Sequence, residues 1–420
     1  MQGMIGPAAT HGPILVNIKR LTFGAVFVIV FLCAGPLTLL NVPFRLSPVA
    51  LLGLPLVLRY GIRRDRVLTA YIALTAVILI SAFLNGSSAI QVILFMRSLV
   101  GSYLIYRLVD IYLRPETLPS VIRWCVVIGA IQLPVIALER LAYNWLPMTK
   151  AGQLRLYVDA GMGTFRQDAA MAFFLVLLVI FLLFDAPRAR VIRHRWLAVV
   201  WFSLTIIIAN SDISKISLVM VWAVYFARRL RARTLLVTVA AIALVVGVLI
   251  AFGLANRIIE PFTVGVGGAL AQSYDVKSYL TGNYARGAAI KYYLTSDILW
   301  FGDGPLRYSD PIHWVLYRGN TGHVFTYYSE VGLFGWLLSV LIFFRIGFPG
   351  RFRTRFRGRQ AAMTVNALAF GGLQVLSFTT EVLNHLGVVL IYCIVVRTFL
   401  IPLDGSTDDE VPRIRKEEPS

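Results

Sequence analysis

The sequence predicts an all-α, polytopic membrane protein: a bundle of about twelve helical spans joined by short turns and one long loop. Three observations carry this. Hydrophobic residues make up 58% of the chain and charged residues only 15%, with a mean hydropathy of +0.74, far outside the range of a water-soluble domain. Apolar stretches of span length recur along the chain, and the basic residues cluster in alternate connections between them.

In order, the candidate spans lie near 21–41, 47–60, 67–84, 89–108, 119–138, 167–184, 196–209, 214–227, 235–254, 331–348, 361–379 and 383–401. A helical span needs roughly 17–25 apolar residues, so those near 47–60, 196–209 and 214–227 are short, and the total rests on them. The chain then divides into 1–254 with nine spans, 255–330 as a long outer loop, 331–401 with three more spans, and 402–420 as a cytoplasmic tail. No cleavable leader is evident, so the first span reads as an anchor.

The net charge of +19 follows from topology rather than from nucleic-acid binding. Arg59, Arg63, Arg64 and Arg66 form one cluster; Arg188, Arg190, Arg193 and Arg195 a second; Arg228, Arg229, Arg231 and Arg233 a third; Arg351, Arg353, Arg355, Arg357 and Arg359 a fourth. With both termini cytoplasmic, all four fall on one side, as the positive-inside rule requires. Contact with anionic membrane lipids is a by-product. The opposite connections are 44–46, 85–88, 139–168, 210–212, 255 to about 329, and 379–384. In the long loop the charges nearly cancel, 284–299 reads as a helix, and Gly302-Asp303-Gly304-Pro305 ends it with turn chemistry.

Several function classes drop out. Cys33, Cys125 and Cys393 all lie inside spans and read as small apolar residues. The chain has no CxxC pair, no HExxH and no clustered His/Asp set, so no metal is implied. It has no Walker-type loop and no GxGxxG after a strand, which argues against a nucleotide-driven pump or a dinucleotide enzyme.

What remains is cationic chemistry on the outer face. Arg155 and Arg166 flank Gly161-Met162-Gly163-Thr164-Phe165; Lys215 follows Ser211-Asp212-Ile213-Ser214 at a tight turn; Arg286 and Lys291 share the loop helix. Fixed guanidinium groups beside a membrane are what a diphosphate requires, because arginine stays charged and grips phosphate oxygens in pairs. Pairing with nearby acids, or snorkelling to the interface, accounts for any single one of these equally well. Arg97 is separate, because it lies inside the 89–108 span. A charge there costs roughly 2.5–3.5 kcal/mol on insertion scales, so Arg97 is expected to face the bundle interior, either in a site or paired with Glu139 or Glu381.

The richest stretch runs from Gly322 to Trp336. If it is helical, His323, Tyr327 and Glu330 lie near one face at i, i+4 and i+7. Gly332 and Gly335 would then let a neighbouring helix approach closely as the chain enters the bilayer.

Taken together these motifs resemble the O-antigen ligase and O-antigen polymerase superfamily. The features are Gly163-Thr164-Phe165 before a span, Ser214-Lys215 at a short outer turn, Arg286 opening a loop helix that leads to Gly302-Asp303-Gly304-Pro305, and His323, Glu330, Gly332 and Gly335 in the pattern His-x6-Glu-x-Gly-x2-Gly. The similarity runs in order over roughly residues 150–345, and its order is more specific than any one element. Two departures stand: Val324 follows the histidine where many members have Asn, and Lys215 replaces the usual Arg, which loses bidentate geometry.

The resemblance implies a GT-C-like membrane glycosyltransferase, working on the periplasmic face of a bacterial inner membrane. Its donor would be a glycan on undecaprenyl diphosphate, with no nucleotide sugar, no metal and no other cofactor. His323 would activate the acceptor hydroxyl, with Glu330 orienting the imidazole or capping the start of span ten. The diphosphate would fall to Arg286, then to Lys215 and Arg166; Arg155 and Arg97 complete the candidate set. Chemistry runs parallel, since a sugar hydroxyl is a poor nucleophile that a base assists, and histidine titrates near working pH. Arginine can stabilise the leaving diphosphate. Tyr279, Tyr284, Tyr292, Tyr293, Trp300, Tyr308, Trp314, Tyr317, Tyr327 and Tyr328 suit stacking on sugars, and equally an interfacial aromatic belt.

The absence of a His-Asn dipeptide and the broad aromatic loop favour a polymerase of O-antigen or exopolysaccharide repeat units. A chain-length regulator and a flippase are then the expected partners. A ligase that moves finished glycan to lipid A-core stays open. So does a non-enzymatic transporter or flippase, in which Arg97 and the basic face form a polyanion path.

Overall fold

The computed structural model describes residues 13–39, 47–141, 162–165, 168–185, 189–209, 212–229, 297–307, 322–348, 359–378, 380, 382–398 and 401. Every regular element among them is helical. Helix α1 (Pro13–Val28) passes through a π turn (Ile29–Cys33) into α2 (Ala34–Leu39), and a 3-10 stretch (Ser47–Gly53) leads into α3 (Leu54–Tyr60). Then come α4 (Arg66–Leu84), α5 (Ala89–Tyr112), α6 (Leu118–Leu141), α7 (Asp168–Phe184), α8 (Arg195–Ala209) and α9 (Asp212–Arg229). The last are α10 (His323–Gly347), α11 (Arg359–Ser377) and α12 (Leu386–Thr398).

Each expected span coincides with a described helix except that near 235–254, which lies outside the described residues. Five stretches are long and apolar enough to cross a membrane by length and composition: Ile18–Leu37, Arg66–Leu84, Ala89–Tyr112, Leu118–Glu139 and His323–Gly347. Pro48–Tyr60, Ala169–Phe184, Arg195–Ala209, Met363–Ser377 and Leu386–Thr398 are shorter apolar helices. This is a helical membrane protein.

The centre of the bundle is α7. Every residue from Ala169 to Leu183 is buried, as expected of a helix that is apolar all round. Helices α6, α8, α9, α11 and α12 pack against it. Helix α4 starts on a cap, the Asp65 carboxylate accepting from the Leu68 N–H at 2.8 Å. Helix α5 starts on a capping box of Ser88 and Gln91.

Among the described residues, the connections gather at two ends. At one, Asp110 receives Arg63 at 3.4 Å together with Arg107 and Arg397. At the other, Asn85 Nδ2 donates to the Gly302 carbonyl at 3.0 Å, Ser98 Oγ donates to Asn384 Oδ1, and the His323 N–H donates to the Thr380 carbonyl at 3.1 Å. The alternation of connections read from the arginine clusters groups them in the same way.

Helix α10 is not one straight rod. His323 Nε2 stands 3.1 Å from Ser339 Oγ, and the His323 ring centroid is 6.3 Å from that of Phe343. Sixteen residues of straight helix would separate the first pair by about 24 Å. The chain folds back at Gly332, whose φ of 85° and ψ of −175° are non-helical. One arm, 323–331, is about 13 Å long, and the other, 333–347, about 22 Å. The expected span near 331–348 is the second arm, and the first is a re-entrant half-helix ahead of it.

Candidate functional site

Two broken helices shape the end of the bundle that holds His323. The first break is the π turn at Ile29–Cys33. A π turn frees backbone groups, and here the Phe31 carbonyl accepts from Thr164 Oγ1 while the Gly35 N–H donates to the Thr164 carbonyl at 2.8 Å. Buried Gln132 completes the lock: its Oε1 accepts from the Thr164 N–H at 2.9 Å and its Nε2 donates to Thr164 Oγ1 at 2.8 Å. Phe165 sits among Phe31 and Phe174. The Gly163-Thr164-Phe165 motif thus plugs an interrupted helix.

The second break is at Gly332, and a loop repairs it. The Asp303 and Gly304 N–H groups donate to the freed Ser329 and Glu330 carbonyls at 2.8 and 3.0 Å. In return, the Leu333 N–H donates to the Leu299 carbonyl at 2.7 Å and the Phe334 N–H to the Trp300 carbonyl at 3.4 Å. Non-helical backbone at membrane depth is tolerated where protein buries it, and this exchange pairs the groups that the kink strands. The approach is so close that a Cβ on Gly332 would lie 2.3 Å from the Trp300 carbonyl oxygen, and one on Gly302 2.5 Å from the Glu330 carbonyl carbon. Gly332 and Gly335 therefore admit the 299–304 loop and the chain's own first arm, where a neighbouring helix was expected. Residues 297–299 are not helical, and the rest of the expected 284–299 helix lies outside the described residues.

His323 opens the re-entrant arm, buried beside Tyr327 at 4.3 Å between ring centroids. Ser339 Oγ donates to the Trp336 carbonyl at 2.6 Å, so it has no proton left for the imidazole and accepts from His323 Nε2. The hydrogen-bond network thus assigns the Nε2–H tautomer, which puts a lone pair on Nδ1. That atom is buried and, among the described residues, has no hydrogen-bond partner. A buried unpaired acceptor costs roughly 1–3 kcal/mol. Such an atom is a place to look for chemistry.

Glu330 shares the buried face with His323 and Tyr327, as expected, but does not hold the imidazole. Its Oε2 accepts from the Leu306 N–H at 3.0 Å, and its own carbonyl also accepts from Ser81 Oγ at 2.8 Å. Leu306 has a positive φ of 60°. The carboxylate therefore fixes the loop after Gly304, bracing it to the hinge, and the partner of the imidazole is Ser339.

Arg286, Arg155 and Arg166 lie outside the described residues. Lys215 is half-buried in the first turn of α9, which packs on α7, α8 and α11. Arg97 corrects an expectation: it is exposed, on the side of α5 that carries exposed Ile93, Leu94 and Val100. Phe95, Ser98 and Leu99 take the inward positions. Glu139 Oε2 accepts from the Met162 N–H at 3.0 Å, and Glu381 lies outside the described residues. Among the described residues, no group of three His, Cys, Asp or Glu could hold a metal.

Sequence reasoning passed over Ser339, Ser81, Asn85 and Gln132. Ser339, Ser81 and Gln132 are lone polar residues inside apolar runs and Asn85 opens the turn that ends one, which is the signal that could have found them. Compared with known proteins, the chain matches no protein-family model and no curated protein.

Proposed function

We propose that this protein is a membrane glycosyltransferase that moves a glycan from undecaprenyl diphosphate to a hydroxyl acceptor, most simply polymerising O-antigen or exopolysaccharide repeat units. The observation that carries this reading is the Nδ1 lone pair of His323, buried and without a partner among the described residues, on an imidazole whose other nitrogen is held by Ser339. In the proposed step the acceptor oxygen attacks the anomeric carbon, the bond to the diphosphate breaks, and undecaprenyl diphosphate leaves with the electron pair. The hydroxyl proton passes to Nδ1. The Nε2–H bond to Ser339 supports the imidazolium that forms, much as a third group does in hydrolase triads. Glu330 acts as a positioning residue for the 299–306 loop. Arg286 remains the first candidate for the diphosphate.

The positive-inside rule assigns the Asp110 end to the cytoplasm, and hence the α10 hairpin to the periplasm. Nδ1 is sealed in this conformation, so the reading requires the re-entrant arm to move when substrate arrives. The test uses purified full-length protein with lipid-linked repeat units. His323→Ala and His323→Gln should lower turnover by about 10²–10⁴-fold while donor binding persists. Turnover near the parent rate in either variant would refute the base assignment.

A second reading is favoured by one observation, the interrupted α10 with its buried unwound backbone. Discontinuous helices of this kind also build substrate sites in transporters. Liposomes separate the two: formation of new glycosidic bonds means transfer, and translocated but unextended lipid-linked glycan means transport. Within transfer, a ladder of lengths marks a polymerase and a single conjugate with lipid A-core marks a ligase.

A further inference from the structure

At the end of the bundle away from His323 lies a cavity of about 250 Å³, lined by Arg63, Asp110, Leu113, Arg114, Pro115, Arg397 and Ile401. We propose that this cavity is a binding site for a phosphate group, carried by a membrane lipid or free in solution.

The charge balance comes first. Among the described residues, Asp110 is the one carboxylate in the lining, and Arg63, Arg107 and Arg397 already converge on it. A carboxylate accepts about four hydrogen bonds, whereas each guanidinium offers five N–H donors. Arg107 is 4% exposed; one of its NH groups donates to the Gly61 carbonyl at 3.1 Å, and among the described residues its Nε has no partner. The other described acids nearby relieve little of this. Asp65 is engaged with the Leu68 N–H and with the Tyr106 hydroxyl at 2.9 Å. Glu116 is exposed, in the same turn as Arg114. Among the described residues the cluster is thus short of acceptors, and a phosphate supplies them in the fork geometry that guanidinium favours.

Placement and shape agree. Helix α4 runs about 28 Å between the two ends, so this cavity sits at the depth of head-group phosphates. Three segments far apart in sequence build it: the turn before α4, the end of α5 with the turn after it, and the end of α12. Arg397 is further held over the Tyr106 ring at 5.8 Å. The apolar lining residues Leu113, Pro115 and Ile401 offer contacts to the ester arm of a lipid. A purely structural staple would account for Arg107 and Arg397, but not for exposed Arg114 or the open space between the groups.

The experiment uses delipidated full-length protein in an uncharged detergent. Phosphatidylglycerol binding is counted by native mass spectrometry, and inorganic phosphate binding is followed by calorimetry. Arg63→Ala with Arg114→Ala removes two exposed residues. Arg193→Ala with Arg195→Ala removes the same charge from another connection. The proposal expects about a tenfold or greater loss of affinity in the first pair, about 1.4 kcal/mol, and little change in the second. Asp110→Asn, which withdraws the competing carboxylate, should tighten binding if the variant folds. Phosphatidylglycerol retained against millimolar phosphate identifies a lipid as the source; displacement by phosphate identifies a soluble anion. Equal losses in the two arginine pairs, or no binding of either probe, would overturn the proposal.

Discussion

Helices α4 and α10 pack against each other and both read as membrane spans by composition, yet one runs straight and the other doubles back. Helix α4 holds regular geometry from its Asp65 cap to Leu84. Helix α10 has a single residue outside helical geometry, Gly332, and that residue changes its path from one rod to a hairpin. Hydropathy therefore measures what a segment can be buried in, not the route it takes. The route is set by where the freed backbone groups find partners, and here they find them in the 299–304 loop.

The largest effect that could break this contrast is all-or-none. His323→Cys with Ser339→Cys places two thiols on facing arms within reach of a short bifunctional thiol reagent, which should bridge them. Ile90→Cys with Tyr106→Cys has the same spacing on straight α5, where about 24 Å separates the ends and no intramolecular bridge should form. Mass analysis of peptides after alkylation reads the result. A bridge in neither pair would mean that α10 is straight in the membrane.

Next in size is Gly332→Ala. An L-residue at that φ and ψ carries about 1–3 kcal/mol of strain, and its Cβ would also meet the Trp300 carbonyl at 2.3 Å. The loss should exceed about 3 kcal/mol and appear as a large drop in thermal stability in detergent. The reverse change in the straight helix, Ala73→Gly, should cost about 1 kcal/mol. Similar losses in the two would remove the special status of the hinge.

These residues also show what could be read in advance. The helical class, the segment positions and the shared face of His323, Tyr327 and Glu330 follow from composition and period, which are local properties. Gly332, Gly335 and the Gly302-Asp303-Gly304 turn stand out as places of close approach, but not what approaches, because the partner lies about thirty residues away in sequence. Arg97 was expected inside because charge is costly in lipid; the inward positions of α5 went instead to Phe95, Ser98 and Leu99. Apolar residues surround this part of α5 on every side, so its sequence has no polar face to fix its rotation. The Asp110 cluster was equally hidden, since Arg63, Arg107 and Arg397 meet only through tertiary packing.

Glu330→Ala comes next, and it tests the loop's anchorage rather than the kink. Removing the carboxylate leaves the Leu306 N–H without that acceptor, which should cost about 1–3 kcal/mol. Faster amide exchange confined to 303–307 and the hinge would locate the loss. Unchanged exchange there would mean that the Asp303 and Gly304 bonds hold the loop unaided.

The smallest effect sharpens the comparison within α4 itself. Ser81 Oγ donates across to the Glu330 carbonyl at 2.8 Å, whereas Thr75 Oγ1 donates within its own helix to the Tyr71 carbonyl at 2.9 Å. Ser81→Ala removes a bond that ties the straight helix to the hinge of the broken one, and a net loss of about 1 kcal/mol is expected. Thr75→Ala removes a bond to a carbonyl that already has its helical partner, and alanine is the better helix former. Its effect should lie within about 0.5 kcal/mol of zero. The two substitutions sit six residues apart and each deletes one hydroxyl, so thermal shifts in the same detergent isolate the cross-helix bond. If both shifts are equal, Ser81 does no more for α10 than any serine in an apolar helix, and the hinge is braced by the 299–306 loop alone.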